Sequence, residues 1–208
     1  MRIIDRTTWE RAEHYNFFRS MDYPQYNICM DVDITNFLKK TKVKKLPFYY
    51  AMIYAAMTAA NEVEEFRYRI RGEEVVVHDV LHPSFTDLAQ GSELFKFVTV
   101  ELEATMEDFV AKAKDKSERQ QKHLPFEEMS REDLIYITCI PWISFTHLSH
   151  TINLRKDDAV PRISWGKYYS QGDKILLPFS VQVNHALVDG VHVGKYVEKL
   201  QEYLDQYC

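Results

Sequence analysis

The chain is poor in glycine and proline, with six and seven in 208 residues. That scarcity excludes a collagen-like, low-complexity or linker-dominated chain, each of which needs a far larger share of both. Cysteine is scarcer still: Cys29, Cys139 and Cys208 are odd in number and widely spaced. They make a poor disulfide framework and suit reduced thiols in a cytoplasmic protein. No two have zinc-ligand spacing, so no metal site is expected from them. Long apolar runs are missing too. Nothing reaches the roughly 18 residues of a membrane span, and residues 1–15 lack the ~7–15-residue apolar core of a secretion signal. The net charge of −5 argues against a nucleic-acid partner bound through its phosphates. It still leaves room for a local basic pocket that takes a phosphorylated cofactor.

What is present suffices for one domain with a real core, residues 1–208, with 46% hydrophobic and 27% charged residues. Thr7-Thr8-Trp9-Glu10 has the form of a capping box and predicts a helix from about Thr8 to Phe18. Asn27–Ile34 reads as a strand with Ile28, Met30, Val32 and Ile34 on one face. Helical spacing follows from Thr35 to Lys45, its lysines forming a solvated face. Pro47 at a first helical position opens Phe48–Val63, apolar nearly all round and expected to be buried. Phe66–Ile70 and Val75–Val77 flank Arg71-Gly72-Glu73 as a hairpin. Further strands are expected at Pro83–Leu88, Phe95–Leu102, Ile135–Ile140, Arg162–Tyr169 and Ile175–Val183, with a polar-faced helix at Met106–Lys116 and a charged loop to Arg131. Strands alternating with three or four helices predict a mixed α/β domain.

One stretch concentrates the chemistry. Leu176–Leu200 starts as a period-two run, Leu177, Phe179, Val181 and Val183, and so reads as a half-buried strand. It breaks at Asn184-His185, and Asp189-Gly190 opens a helix with Val193, Tyr196, Val197, Leu200 and Leu204 on one side. His185 is then either a catalytic base fixed at a strand end or a turn histidine beside an Asp that caps a helix. A neutral imidazole, with its ordinary pKa near ~6.5, can accept a proton at pH 7. Asp189 beside it would equally suit a triad-like dyad. The other histidines, His14, His78, His82, His123 and His192, read as surface or packing residues. His147-x-x-His150 has a possible metal spacing, yet no third ligand stands out.

The stretch from Gly166 to Gln201, GKYYSQGDKILLPFSVQVNHALVDGVHVGKYVEKLQ, together with Pro141-Trp142-Ile143-Ser144-Phe145-Thr146 and Trp9-x-Arg11-x-Glu13-His14, resembles the chloramphenicol acetyltransferase family. The resemblance runs from about Thr8 to the C-terminus. It implies the α/β sandwich of CoA-dependent acyltransferases, a two-layer mixed sheet with helices, assembled as a homotrimer with active sites at subunit interfaces. It implies acetyl-CoA as a co-substrate, no tightly bound cofactor, and a small-molecule acceptor, with no nucleic-acid or membrane partner. His185 is implied as the general base that deprotonates the acceptor hydroxyl, facing a pocket of the neighbouring subunit. Arg11 and Asp189 are implied as an ion pair that supports the site.

The resemblance also implies an oxyanion donor four residues before Trp142, which falls on Thr138. Ser144 is a rival by eye, but the spacing favours Thr138. Ser164 matches a hydroxyl that helps hold a water near the intermediate, and Trp142, Lys167 and Tyr168 match positions near the cofactor. Three positions depart from the family pattern. Asn184 replaces a second histidine, Thr138 a serine, and Phe18 a tyrosine of the acceptor pocket. The expected activity is acetyl transfer from acetyl-CoA to a hydroxyl of chloramphenicol or a similar small alcohol. Transfer to a dihydrolipoamide-type thiol, or ligand binding without catalysis, are the alternatives.

Overall fold

The computed structural model describes residues 1–88, 91–154 and 157–207, and of residue 129 only the backbone. The elements in chain order are β1 (Arg2–Ile3), α1 (Ala12–Arg19), β2 (Gln25–Asp33), α2 (Thr35–Val43) and α3 (Phe48–Asn61), then a 3-10 turn at Glu64–Arg67. They continue with β3 (Tyr68–Arg71), β4 (Glu74–Val77), β5 (His82–Leu88), β6 (Phe95–Thr99), α4 (Met106–Arg119) and the single turn α5 (Phe126–Met129). The last are β7 (Leu134–Ile140), β8 (Arg162–Gly166), β9 (Tyr169–Gln171), β10 (Lys174–Asn184) and α6 (Gly190–Gln206). Cys208 lies outside the described residues.

Seven strands make the main sheet, in the order β2-β10-β8-β7-β5-β6, with β9 paired to the start of β10. The sheet is mixed. β5, β7 and β8 run parallel to one another, while β10 is antiparallel to both β8 and β2. β1, β4 and β3 form a separate small antiparallel sheet. Side chains alternate across a strand, so register decides which residues share a face. Phe85, Ile137, Ile163, Val181 and Ile28 are partners across one row, and Trp165 and Phe179 across another. The helices cover this apolar face. Tyr196 of α6 meets Phe179 at 6.3 Å between ring centroids, and Tyr49 of α3 meets Trp165 at 5.9 Å. Helix α3 is buried along nearly its whole length, as its composition requires.

The expectation of a half-buried β10 is overturned. Ser180, Gln182 and Asn184, which point away from the helices, are as buried as Phe179 and Val181. The cover on that side comes from the irregular residues 141–154 and 157–161, which lie between β7 and β8. Asn27 donates to Leu148 O at 2.7 Å, and Gln182 Oε1 accepts from the His150 N–H at 2.9 Å. Gln25 and Asn184 donate to Asp158 O at 2.7 and 3.0 Å. Polar strand residues thereby replace the hydrogen bonds they would otherwise make to water.

Four smaller expectations change as well. The capping box at Thr7–Glu10 is not used: Asp5 Oδ1 accepts from the Thr7 N–H and hydroxyl at 3.0 and 2.7 Å. That local turn delays α1 to Ala12. Pro47 stands one position before α3 with an extended ψ of 119°. The described residues hold five helices of eight or more residues and the single turn α5, more than the three or four expected. The strand expected at Arg162–Tyr169 is split into β8 and β9. At the break the Lys167 N–H leaves the sheet and donates to Ile143 O at 2.8 Å. A Cβ on Gly166 would lie 2.7 Å from that same Ile143 oxygen, so only glycine permits this approach. No helix among the described residues is long and apolar enough to cross a membrane.

Candidate active site

The first group of residues gathers where β10 ends. Asn184 Oδ1 accepts from the Ala186 N–H at 2.9 Å, and Asn184 O accepts from Leu187 and Val188, closing a tight turn. His185 N–H donates to Pro24 O at 2.7 Å, which ties the turn to the start of β2. Arg11, in the turn before α1, spans the loop. Its Nε donates to Ala186 O at 2.9 Å and its Nη2 to His185 O at 2.7 Å. Both Nη atoms also bond the Asp189 carboxylate, with Nη2 2.7 Å from Oδ1. The Arg11 hydrogen bond holds the Asp189 carboxyl below its ordinary pKa against the opposing effect of burial. Asp189 N–H in turn donates to His192 Nδ1 at 2.9 Å, and His192 Nε2 lies 3.4 Å from Glu65 Oε1.

The His185 ring is held by stacking. Phe18 lies parallel to it, 3.8 Å between centroids at 7°, and Tyr26 is tilted against it at 4.6 Å. Tyr26 is anchored by its own hydroxyl, which donates to Val188 O at 3.2 Å. Nδ1 of His185 lies 3.0 Å from Asp189 Oδ1, but out of line, and makes no hydrogen bond. We read this contact as electrostatic, because direction decides whether a short N···O distance is a hydrogen bond. Asp189 therefore hydrogen-bonds Arg11 and not the imidazole, so no hydrogen bond supports the dyad reading. Nδ1 is buried, which leaves Nε2 as the accessible nitrogen of a side chain that is one-third exposed.

The second group lies in a groove of about 600 Å³ at the carboxyl ends of β5, β7 and β8. Three parallel strands ending together leave a crevice that no strand fills, a common place for ligands. Thr138, Trp142, Lys167 and Tyr168 all line it. Lys167 and Tyr168 do so because the chain peels away after Gly166. Thr138 is half-buried, and its hydroxyl makes no hydrogen bond among the described residues. Burial pushes the neighbouring Cys139 thiol up to about 12, so it stays protonated. Ser144 opens instead onto a separate hollow of about 360 Å³, with Cys29, Asp31 and Tyr169. Of the two rival hydroxyls, it is Thr138 that lines the larger groove.

Ser164 is the register partner of Thr138 but is fully buried. Its Oγ lies 2.7 Å from Nε2 of His150, which lines the groove. Sequence reasoning missed His150, whose spacing from His147 suggested only a metal. It also left His192 among the packing residues, although an Asp-x-x-His run at a helix start is a readable capping pattern.

The two groups are far apart within one chain. β10 is antiparallel to β8, so its carboxyl end, bearing His185, lies at the opposite end of the sheet from the groove. From the row Thr138–Ser164–Ser180 to His185 is about 17 Å along the strands and about 10 Å across them. Proton transfer needs contact of about 3 Å. Within one chain Thr138 and His185 are therefore too far apart to contact the same reacting atoms.

Comparison with known proteins supplies the family. A family model described as chloramphenicol acetyltransferase matches residues 1–201. A chloramphenicol acetyltransferase of Klebsiella is 33% identical over 205 residues, covering 98% of this chain and 94% of its own length. One of Proteus mirabilis is 29% identical over 207 residues, covering 99% and 95%. Among solved structures, a chloramphenicol acetyltransferase superposes with a TM-score of 0.90 at 26% identity, over 98% of this chain and 99% of that one. A dihydrolipoamide acetyltransferase of Azotobacter vinelandii shares the fold, with a TM-score of 0.70 at 14% identity over 94% and 86%. With its mixed sheet, its strand-end histidine and a family match over nearly its whole length, this chain belongs to the chloramphenicol acetyltransferase family of acyltransferases.

Proposed function

We propose that the chain, acting as one domain over residues 1–208, transfers acetyl from acetyl-CoA to a hydroxyl of chloramphenicol or a similar small alcohol. The reaction takes place between two copies, in the cytoplasm. The carrying observation is the placement of His185 and the Thr138 groove at opposite ends of the sheet. Head-to-tail contact brings the end of one copy onto the groove of the next, and such contacts form a ring where the rotation between copies closes. Three copies per ring is the number the family resemblance implies. Apolar side chains exposed at both ends suit this contact: Phe17 and Tyr23 near His185, Trp142 and Ile143 near the groove.

In the proposed step, His185 Nε2 of one copy takes the proton from the acceptor hydroxyl as its oxygen attacks the thioester carbonyl. The tetrahedral oxyanion accepts a hydrogen bond from Thr138 of the other copy. Collapse breaks the carbon–sulfur bond, and the departing CoA thiolate takes the proton from His185. Phe18 keeps the imidazole stacked and its surroundings apolar, while Arg11 and Asp189 hold the turn that presents it. Trp142, Lys167 and Tyr168 offer two aromatic faces and a cation, suited to the pantetheine and phosphates of acetyl-CoA.

The test is release of CoA thiol from acetyl-CoA, with and without chloramphenicol. Release should depend on the antibiotic and saturate. His185→Ala should lower kcat by about 10²–10⁴-fold while the assembly, followed by light scattering, stays intact. Near wild-type turnover in that variant would sink the proposal. Faster release with dihydrolipoamide would favour a thiol acceptor, and tight binding without release would favour a non-catalytic role.

A further inference from the structure

Ser164 matches the family position whose hydroxyl holds a water near the intermediate, yet here it has no exposed surface. Its hydroxyl is engaged by His150 Nε2 at 2.7 Å, and it is His150 that faces the groove beside Thr138. The histidine is pinned at its backbone as well, where its N–H donates to Gln182 Oε1 at 2.9 Å. Two residues earlier Asn27 holds Leu148 O at 2.7 Å. The ring is therefore a fixed part of the groove wall. Burial, reinforced by nearby Arg162, pushes the imidazole's pKa down and keeps it neutral at pH 7.

A neutral imidazole has one N–H and one lone pair. One of these is spent on Ser164, and Nδ1 has no partner among the described residues. When the serine hydroxyl donates to Nε2, Nδ1 carries the proton and donates. When Nε2–H donates to Oγ, Nδ1 accepts. The pair thus offers a ligand either polarity, set by rotation of one hydroxyl and a change of tautomer.

We propose that His150 is a specificity-determining residue of the acceptor site, selecting small alcohols that carry a second hydrogen-bonding group beside the hydroxyl to be acetylated. This inference rests on the proposed reaction, in which the acceptor hydroxyl meets the thioester beside Thr138 in the groove. A wall that hydrogen-bonds its substrate discriminates strongly against analogues lacking the group, because its own buried polar atom is then left unpaired. An apolar side chain at this position would give no such preference.

The test uses the assembled wild-type protein, His150→Leu and His150→Gln, with two alcohols. Chloramphenicol carries a second hydroxyl and an amide near its primary hydroxyl; 3-phenylpropan-1-ol carries neither. For chloramphenicol, His150→Leu should lower kcat/KM at least about 10-fold, chiefly through KM, and should leave the phenyl alcohol within about 3-fold. His150→Gln, which keeps a hydrogen-bonding group, should recover part of the loss. Equal effects on both alcohols, or none, would overturn the inference. Should the wild type release no CoA thiol with either alcohol, the proposed reaction fails separately. Calorimetric binding of chloramphenicol then decides: weakened by His150→Leu, the inference stands; unchanged or undetectable, it falls.

Discussion

Around β8 and the second half of β10, the two faces of the large sheet are buried to the same degree by opposite means. On one, Phe179, Val181, Ile163 and Ile137 pack under α3 and α6. On the other, Ser164, Ser180, Gln182 and Asn184 lie under an irregular segment, which Ser164, Gln182 and Asn184 hold by hydrogen bonds directly and Ser180 through Asn27. Apolar burial is non-directional and roughly proportional to area, so the first face supplies stability with little say in where a particular atom sits. A buried hydrogen-bond network works the other way. Its net contribution is small, but leaving a member unpaired is costly, so it accepts few arrangements. The first face holds the fold together; the second fixes the segment that carries His150 and Trp142 to the groove.

Four substitutions or conditions sharpen that contrast. Phe179→Ala, in contact with Trp165 and Tyr196, should cost about 3–5 kcal/mol in denaturant unfolding, the largest effect. Gly166→Ala comes next. Its methyl would press on Ile143 O, and the strain should cost about 1–3 kcal/mol while raising the KM for acetyl-CoA. A loss as large as that of Phe179→Ala would mean that the hydrogen-bonded face also carries the fold. Acid should act on the second face and its surroundings. Burial lowers the pKa of His150 and His192, so the unfolded chain binds protons more readily than the folded one. Their contribution is complete above the ordinary imidazole pKa of ~6.5 and is lost as pH falls through the lowered values. Urea titrations between pH 8 and pH 5 should show this decline, and His150→Leu should make it shallower. Ser180→Ala is the mildest. It removes one bond to Asn27 Oδ1, 2.8 Å long, and should change stability by about 1 kcal/mol or less.

The same contrast explains what could be read from the sequence. Period-two apolar residues in β10 and period-3.6 residues in α6 report the helix-covered face directly, because packing selects them by type. The polar side of β10 carries no such mark. Ser180, Gln182 and Asn184 look like solvent-facing residues, and only the tertiary course of residues 141–154 and 157–161 turns them into interior ones. Thr138 and Lys167 could be assigned to a ligand site only through family resemblance, since an isolated strand threonine or surface lysine is unremarkable. His150 was legible by neither route: its partner Ser164 is fourteen residues away across an irregular segment. The start of α1 was misread because Asp5, outside the four-residue capping pattern, takes the Thr7 N–H first.

If copies meet head to tail as proposed, the separation of His185 and the groove at opposite ends of the sheet has a genetic consequence. A His185→Ala allele keeps a good groove, and a Thr138→Val allele keeps a good base. Each should be strongly impaired alone, yet unfolded and refolded together they should complement. In an equal mixture about one quarter of the junctions join an intact base to an intact groove, whatever the ring size. The fraction of activity recovered would then count directional junctions between neighbours, reading the assembly's polarity from a rate.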